Sequence, residues 1–234
     1  MIRFVVALSL VFVAAPAAAM TFVENEITCP IGGEKFTARQ AASGTAMGQN
    51  LDRRSFGATA SPWPLAKCPG NGFVLFRPQF EDAELAVLRP IVESPAYREA
   101  AARETDDYLA ATLMRALDAP PETLATVLLQ ASWEAEGDAR YPRYAAEALA
   151  EFERYLAAAP ADPADDAWVG FMQLAGELER RLGRFDAAQK RFDALLPQVA
   201  GHAIEPLVRQ ELTLIAARDS GTHAVEPPDE APGD

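Results

Sequence analysis

Two five-residue stretches, Cys29-Pro30-Ile31-Gly32-Gly33 and Cys68-Pro69-Gly70-Asn71-Gly72, hold both cysteines of the chain. Each follows the C-P-x-C-G turn with which a zinc ribbon aims two thiolates at a metal, two such turns closing a tetrahedral site. The cysteine, the proline and the closing glycine stand in both copies, but Gly32 and Asn71 take the place of the second thiolate. Three chemistries are open to the remaining pair: a disulfide, a reduced metal site, or a redox-active couple. For a metal, two thiolates and the Asn71 amide form a poor zinc set, and the histidines, His202 and His223, lie far off in sequence and read as surface or tail residues. For redox chemistry, a labile pair calls for an exposed thiol of low pKa, usually in a C-x-x-C at a helix N-terminus, which neither stretch offers. Gly33 and Gly72 read as turn glycines under all three.

No nucleophile constellation is present. The chain has no G-x-S-x-G, H-E-x-x-H or phosphate-binding glycine loop, and neither histidine has a neighbouring carboxylate at a useful spacing. The acidic pairs Asp106/Asp107, Glu134/Glu136 and Asp165/Asp166 diverge on a helix and read as solvated or first-turn charges. A hydrolytic carboxylate pair would have to come from separate helices. No catalytic residue, metal ligand or cofactor-binding residue is therefore assigned, and a non-catalytic chain is expected. Trp133 and Trp168 fall on apolar helix faces and read as core, whereas Trp63, framed by Pro62 and Pro64, is the tryptophan open to a partner.

The N-terminus sets the redox context. Arg3, the apolar run from Phe4 to Ala15 and the small-residue exit ending at Ala19 form a secretory signal peptide over residues 1–19, with cleavage before Met20. Export leads to a periplasmic or secreted protein in an oxidising compartment, where disulfides persist. The formal charge of −13 grows more negative when Arg3 leaves. Such a chain repels phosphate backbones and anionic headgroups, so neither nucleic acid nor a stable membrane insertion is expected.

Composition divides the remainder. Residues 20–80, rich in Gly, Pro, Thr and aromatics, read as short strands flanking the two turns, with residues 42–61 as a connecting loop. Residues 81–218 read as helices over about 95–117, 122–136, 142–158, 163–182, 185–196 and 203–218, punctuated by Ser94-Pro95, Gly137, Asp162-Pro163, Gly183 and Pro197. Residues 219–234 read as a disordered acidic tail. Within the helices, the stretch from Phe171 to Leu196 resembles a tetratricopeptide repeat, with Gly176, Gly183, Phe185, Ala188, Phe192 and Leu196 at that repeat's spacing. Ala148, Phe152 and Leu156 repeat the last part of the pattern forty positions earlier. Arg209, Gln210 and Arg218 would then form the polar outer cap of the array.

The two cysteine turns combined with "ASWEAEGD" and "QLAGELERRLGRFDAAQKRF" resemble the bacterial domain-of-unknown-function family 2225, over roughly residues 24–196. That resemblance implies a ribbon module followed by tetratricopeptide-like helices. Cys29 and Cys68 match two of four ligand positions, while Gly32 and Asn71 depart from the other two. In a ribbon the two turns face one another, so the retained cysteines start out close, and with export this favours a Cys29–Cys68 disulfide. The expected fold is α+β, mostly α: a small ribbon-like β module followed by a tetratricopeptide-like array of five or six helices. The expected role is an exported, non-catalytic scaffold whose concave helical face binds a protein or peptide, with a thiol redox or oxidant-sensing protein using Cys29 and Cys68 as the alternative; in so short an array, a concave face filled by the N-terminal module or by the acidic tail would count against peptide binding.

Overall fold

The computed structural model describes residues 20–158 and 161–226, so residues 1–19, expected as a signal peptide, and the last eight residues lie outside the described residues. The architecture is α+β and mostly α, with small antiparallel strand pairs on the N-terminal side and helices after them. Strands β1 (Thr21–Thr28) and β2 (Lys35–Ser43) form a hairpin closed by the first cysteine turn, with Thr28 opposite Lys35. Residues 42–61, expected as a loop, contain a second hairpin, β3 (Thr45–Gln49) with β4 (Ser55–Ala58). Its β signal is diluted by Gly44, Gly48 and Gly57, and Gly48 lies beneath the Phe56 ring, which supplies the cover that glycine lacks. Strands β5 (Ala66–Lys67) and β6 (Val74–Leu75) flank the second cysteine turn.

Eight helices follow among the described residues. Helix α1 (Asp82–Val92) was not anticipated; Glu81 and Glu84 form a reciprocal capping box at its start, and Pro90 in its last turns obscures the helical pattern. The helix expected over 95–117 is two, α2 (Pro95–Ala101) and α3 (Asp106–Ala116). Ser94 Oγ accepts the Tyr97 N–H at 3.1 Å, as the Ser-Pro signal requires. The break comes at Thr105, which is extended and precedes two acidic first-turn residues, Asp106 and Asp107. Then come α4 (Pro121–Glu134), α5 (Tyr141–Ala158), α6 (Asp166–Arg181), α7 (Phe185–Leu195), a 3-10 turn at Leu196–Gln198, and α8 (Glu205–Ala216).

The core runs without a gap from the cysteine turns into the helices. Cys29, Ile31, Cys68 and Phe73 share one cluster with Leu88, Val92, Tyr97, Leu109 and Leu113 of α1–α3. A second cluster fills the space among α3–α6, and a third lies among α6, α7 and α8. In the third, Ala188 and Phe192 are fully buried, as are Ala148 and Phe152 at the corresponding places in the second. Gly176 allows α6 to meet α7: a Cβ there would lie 2.5 Å from the Phe192 ring. Gly183, at φ 72°, turns the chain between the two helices in a conformation that costs glycine little. Phe185 and Leu196 pack at the edge of this cluster.

Candidate functional site: joined cysteine turns and a filled helical groove

The two cysteine turns are built alike. Cys29 N–H donates to Glu34 O at 2.8 Å and Gly33 N–H to Cys29 O at 3.1 Å; Cys68 N–H donates to Phe73 O at 2.8 Å and Gly72 N–H to Cys68 O at 2.9 Å. Gly33 and Gly72 both sit at φ 74°, so the same backbone demand explains both glycines. The turns face each other and Cys29 and Cys68 form a disulfide, with Cα atoms 5.9 Å apart. Both cysteines are buried, at 2% and 1% exposure, which leaves an exchange partner no face to attack.

Two further links cross between the turns. Asn71 Nδ2 donates to Ile31 O at 2.6 Å, while Asn71 Oδ1 accepts the Phe73 N–H at 2.9 Å. Gly70 N–H donates to Glu34 Oε1 at 2.6 Å. Glu34 carries no sequence signal, because Gly70 is 36 positions away. It also stands beside the sulfurs: donor atoms of Cys29, Glu34 and Cys68 lie within 4.8 Å of one another. Joined as a disulfide the sulfurs offer no thiolate, and the Glu34 carboxylate is already engaged, so the set does not suit zinc. Helix α2 fastens the second turn, as Tyr97 Oη donates to Gly72 O at 3.1 Å and Lys67 Nζ to Ala101 O at 3.0 Å.

The second assembly centres on α6. Its inward face carries Gln173, Glu177 and Arg180, all essentially without exposure. That face is covered by the chain itself. Leu51, fully buried at the tip of the β3–β4 hairpin, presents its carbonyl to Gln173 Nε2 at 2.8 Å. Arg180 Nε donates to Glu177 and to Glu211 of α8, each at 2.9 Å, and Nη1 donates to the carbonyls of Asp219 and Gly221 at 2.6 and 3.0 Å. At the rim, Glu136 joins Arg54 at 2.6 Å, Arg181 at 3.1 Å and the Thr222 hydroxyl.

Residues 219–226, expected to be disordered, lie along this face, turning at Asp219–Gly221 and extended from His223 onward. Leu51 N–H donates to His223 O at 2.9 Å and Val225 N–H to Gln49 O at 2.8 Å. On the opposite edge Gln210 Nε2 donates to Ala224 O at 2.8 Å, and Gln210 Oε1 accepts the Glu226 N–H at 3.1 Å. Gln210 thus serves the segment rather than an outer polar cap. Nor is His223 without a carboxylate: its Nε2 lies 3.0 Å from Asp219 Oδ2, the fourth residue before it across the turn. His202 is exposed.

Buried carboxylates complete the picture. Burial drives Glu177 well above the ordinary carboxylate range, with Glu211 adding to the effect, and burial raises Glu211 too, against the pull of Arg180. Asp107, dismissed as a solvated neighbour of Asp106, is 3% exposed, and its N–H donates to Glu134 of α4 at 3.1 Å. Burial first, then the Glu134 and Asp106 charges, push the Asp107 carboxyl to about 8. Asp165 Oδ1 accepts the Ala167 N–H as the cap of α6, with Asp166 in the first turn. Trp168 is buried, Trp133 packs at the edge of the second cluster, and Trp63 is 48% exposed.

Searches against family models, curated proteins and solved structures found no match to the chain. Among the described residues no helix is long and apolar enough to cross a membrane.

Proposed function

We propose that this chain is an exported, non-catalytic scaffold that binds a protein or peptide partner on its helical array, with the disulfide-closed cysteine module as a brace. The observation that carries this reading is the way α6 and α8 hold main chain. Gln210 directs its side-chain amide at the backbone of an extended segment, Arg180 donates to carbonyls of the turn just before it, and Gln173 donates to the hairpin tip. Side chains that pair with backbone rather than with particular side chains recognise extended polypeptide as such. The resemblance to tetratricopeptide hairpins supports the same role by analogy. The burial of Cys29 and Cys68 speaks against thiol exchange as the purpose of the pair.

Selection of a displayed random-peptide library against the exported, oxidised protein tests the reading. A related set of peptides should emerge, with binding lost in a Gln210→Ala chain of unchanged helical content. No enrichment over a blank surface would refute it.

A further inference from the structure

The class of partner follows from the segment that already occupies the groove; this step rests on the binding role proposed above. We propose that residues 219–226 are a built-in occupant of a peptide site, and that the external partner is an extended segment with an apolar residue followed by an acidic one, which displaces them.

The hydrogen bonds alternate as an extended chain demands. The carbonyl of His223 and the N–H of Val225 face residues 49–51 of the hairpin, while the carbonyl of Ala224 and the N–H of Glu226 face Gln210. Both edges of the segment are therefore satisfied, one by backbone pairing and one by a side-chain amide, and each contact is to main chain that another peptide would present equally. Buried Arg180 grips the Asp219 and Gly221 carbonyls, but beyond them the hold is shallow: no side chain from Thr222 to Glu226 is fully buried, and only His223 and Val225 are half-buried. An occupant that buries so little apolar surface is open to competition.

The preference for apolar and then acidic comes from what surrounds the end of the segment. Val225 and Glu226 line a cavity of about 470 Å³ together with Ile204, Pro206, Leu207 and Arg53. Valine leaves the apolar wall uncovered, so a larger aliphatic side chain gains contact there. Arg53 sits over α6 at φ 67°, its guanidinium against Gly170, and among the described residues no carboxylate pairs with it. Glu226, which follows Val225, lines the same cavity as this cation, so an acidic side chain at that place in a partner keeps a carboxylate beside the guanidinium.

Fluorescence anisotropy with a labelled eight-residue peptide of the 219–226 sequence provides the test, on full-length chains. Val225→Pro in the chain removes the N–H given to Gln49 and loosens the end of the segment, opening that end of the groove without touching the helices, which circular dichroism verifies. The opened chain should bind the peptide at least ten-fold more tightly than the unaltered chain. A peptide carrying Val225→Leu should bind several-fold better still, and Gln210→Ala in the opened chain should weaken binding at least ten-fold. Equal affinity of opened and unaltered chains, or no binding to the opened chain, overturns the proposal. Either failure leaves the wider scaffold reading standing if the library selection still yields peptides, whereas an empty selection on both chains removes that reading itself.

Discussion

Asn71 donates its side-chain amide to the Ile31 carbonyl at 2.6 Å, from the position where a metal-binding turn would present its second thiolate. The opposing position is Gly32, whose missing Cβ would come 3.4 Å from that same amide nitrogen. A hydrogen bond thus fills the place where metal coordination would otherwise join the turns, and the disulfide supplies the covalent link beside it.

Asn71→Ala removes this bridge and also leaves the N–H of fully buried Phe73 without its acceptor. An unsatisfied buried donor costs about 1–3 kcal/mol, so the midpoint of urea unfolding should fall accordingly with the m-value unchanged. An unchanged midpoint would mean that the cross-turn contact is redundant with the disulfide.

The disulfide closes a loop with a separation of 39 residues, for which the chain-entropy model gives about 4 kcal/mol. Cys29→Ser with Cys68→Ser should lower stability by an amount of that order and loosen the N-terminal module first, seen as faster amide exchange around residues 29–34 and 68–73. Intact mass of the exported protein should start at Met20, with both cysteines alkylated only after reduction. Zinc analysis on the same sample should find none; free thiols with stoichiometric zinc would reverse the assignment.

Two α6 glycines make contrasting predictions. A Cβ at Gly176 would lie 2.5 and 2.6 Å from ring atoms of Phe192, a fully buried side chain with nowhere to go. Overpacking of about 1–3 kcal/mol should outweigh the gain of roughly 1 kcal/mol in helix propensity, leaving Gly176→Ala destabilised. At Gly170 the obstacle is the tip of the Arg53 side chain, which can swing aside, so Gly170→Ala should be near neutral in thermal melts.

What the sequence disclosed was short-range. Ser94 announces its helix because a cap acts within a turn, whereas α6 is capped by Asp165, three residues past the expected Asp162-Pro163 start; Gly183, Ala188 and Phe192 are readable because one hairpin brings them together. The cysteine turns were legible for the same reason. What stayed hidden depends on distant partners: Gln173 meets Leu51 across 122 positions, Arg180 meets Asp219 across 39, and Asp107 meets Glu134 across 27. Polar residues on a helix read as a solvated face unless the covering segment is known, and here the cover is a glycine-diluted hairpin and a stretch that composition alone assigns to disorder. The groove was expected either as a binding surface or as a place filled by the N-terminal module or the acidic tail, an outcome counted against peptide binding; that both of these segments fill it was not legible.

Asp107 gives the pH dependence its sign. The carboxyl is raised to about 8 by burial and by the Glu134 and Asp106 charges, far above its value in an unfolded chain. A group whose pKa is raised by folding binds its proton more tightly in the native state, so its stabilising contribution is complete below about pH 4 and is lost as pH climbs through 8. Glu177 and Glu211, also raised by burial, act in the same direction, though Arg180 between them moderates the effect. The free energy of unfolding should therefore decline from pH 5 to pH 9, the reverse of what an ion-paired carboxylate of depressed pKa produces. Asp107→Asn keeps the shape and removes the charge, so it should flatten this slope and stabilise the chain at pH 8 by on the order of a few kcal/mol, while changing little at pH 4. Urea unfolding of both chains across that range checks it. Parallel slopes for the two would place the proton elsewhere, and Glu177→Gln measured the same way would then show whether the pair at Arg180 holds it.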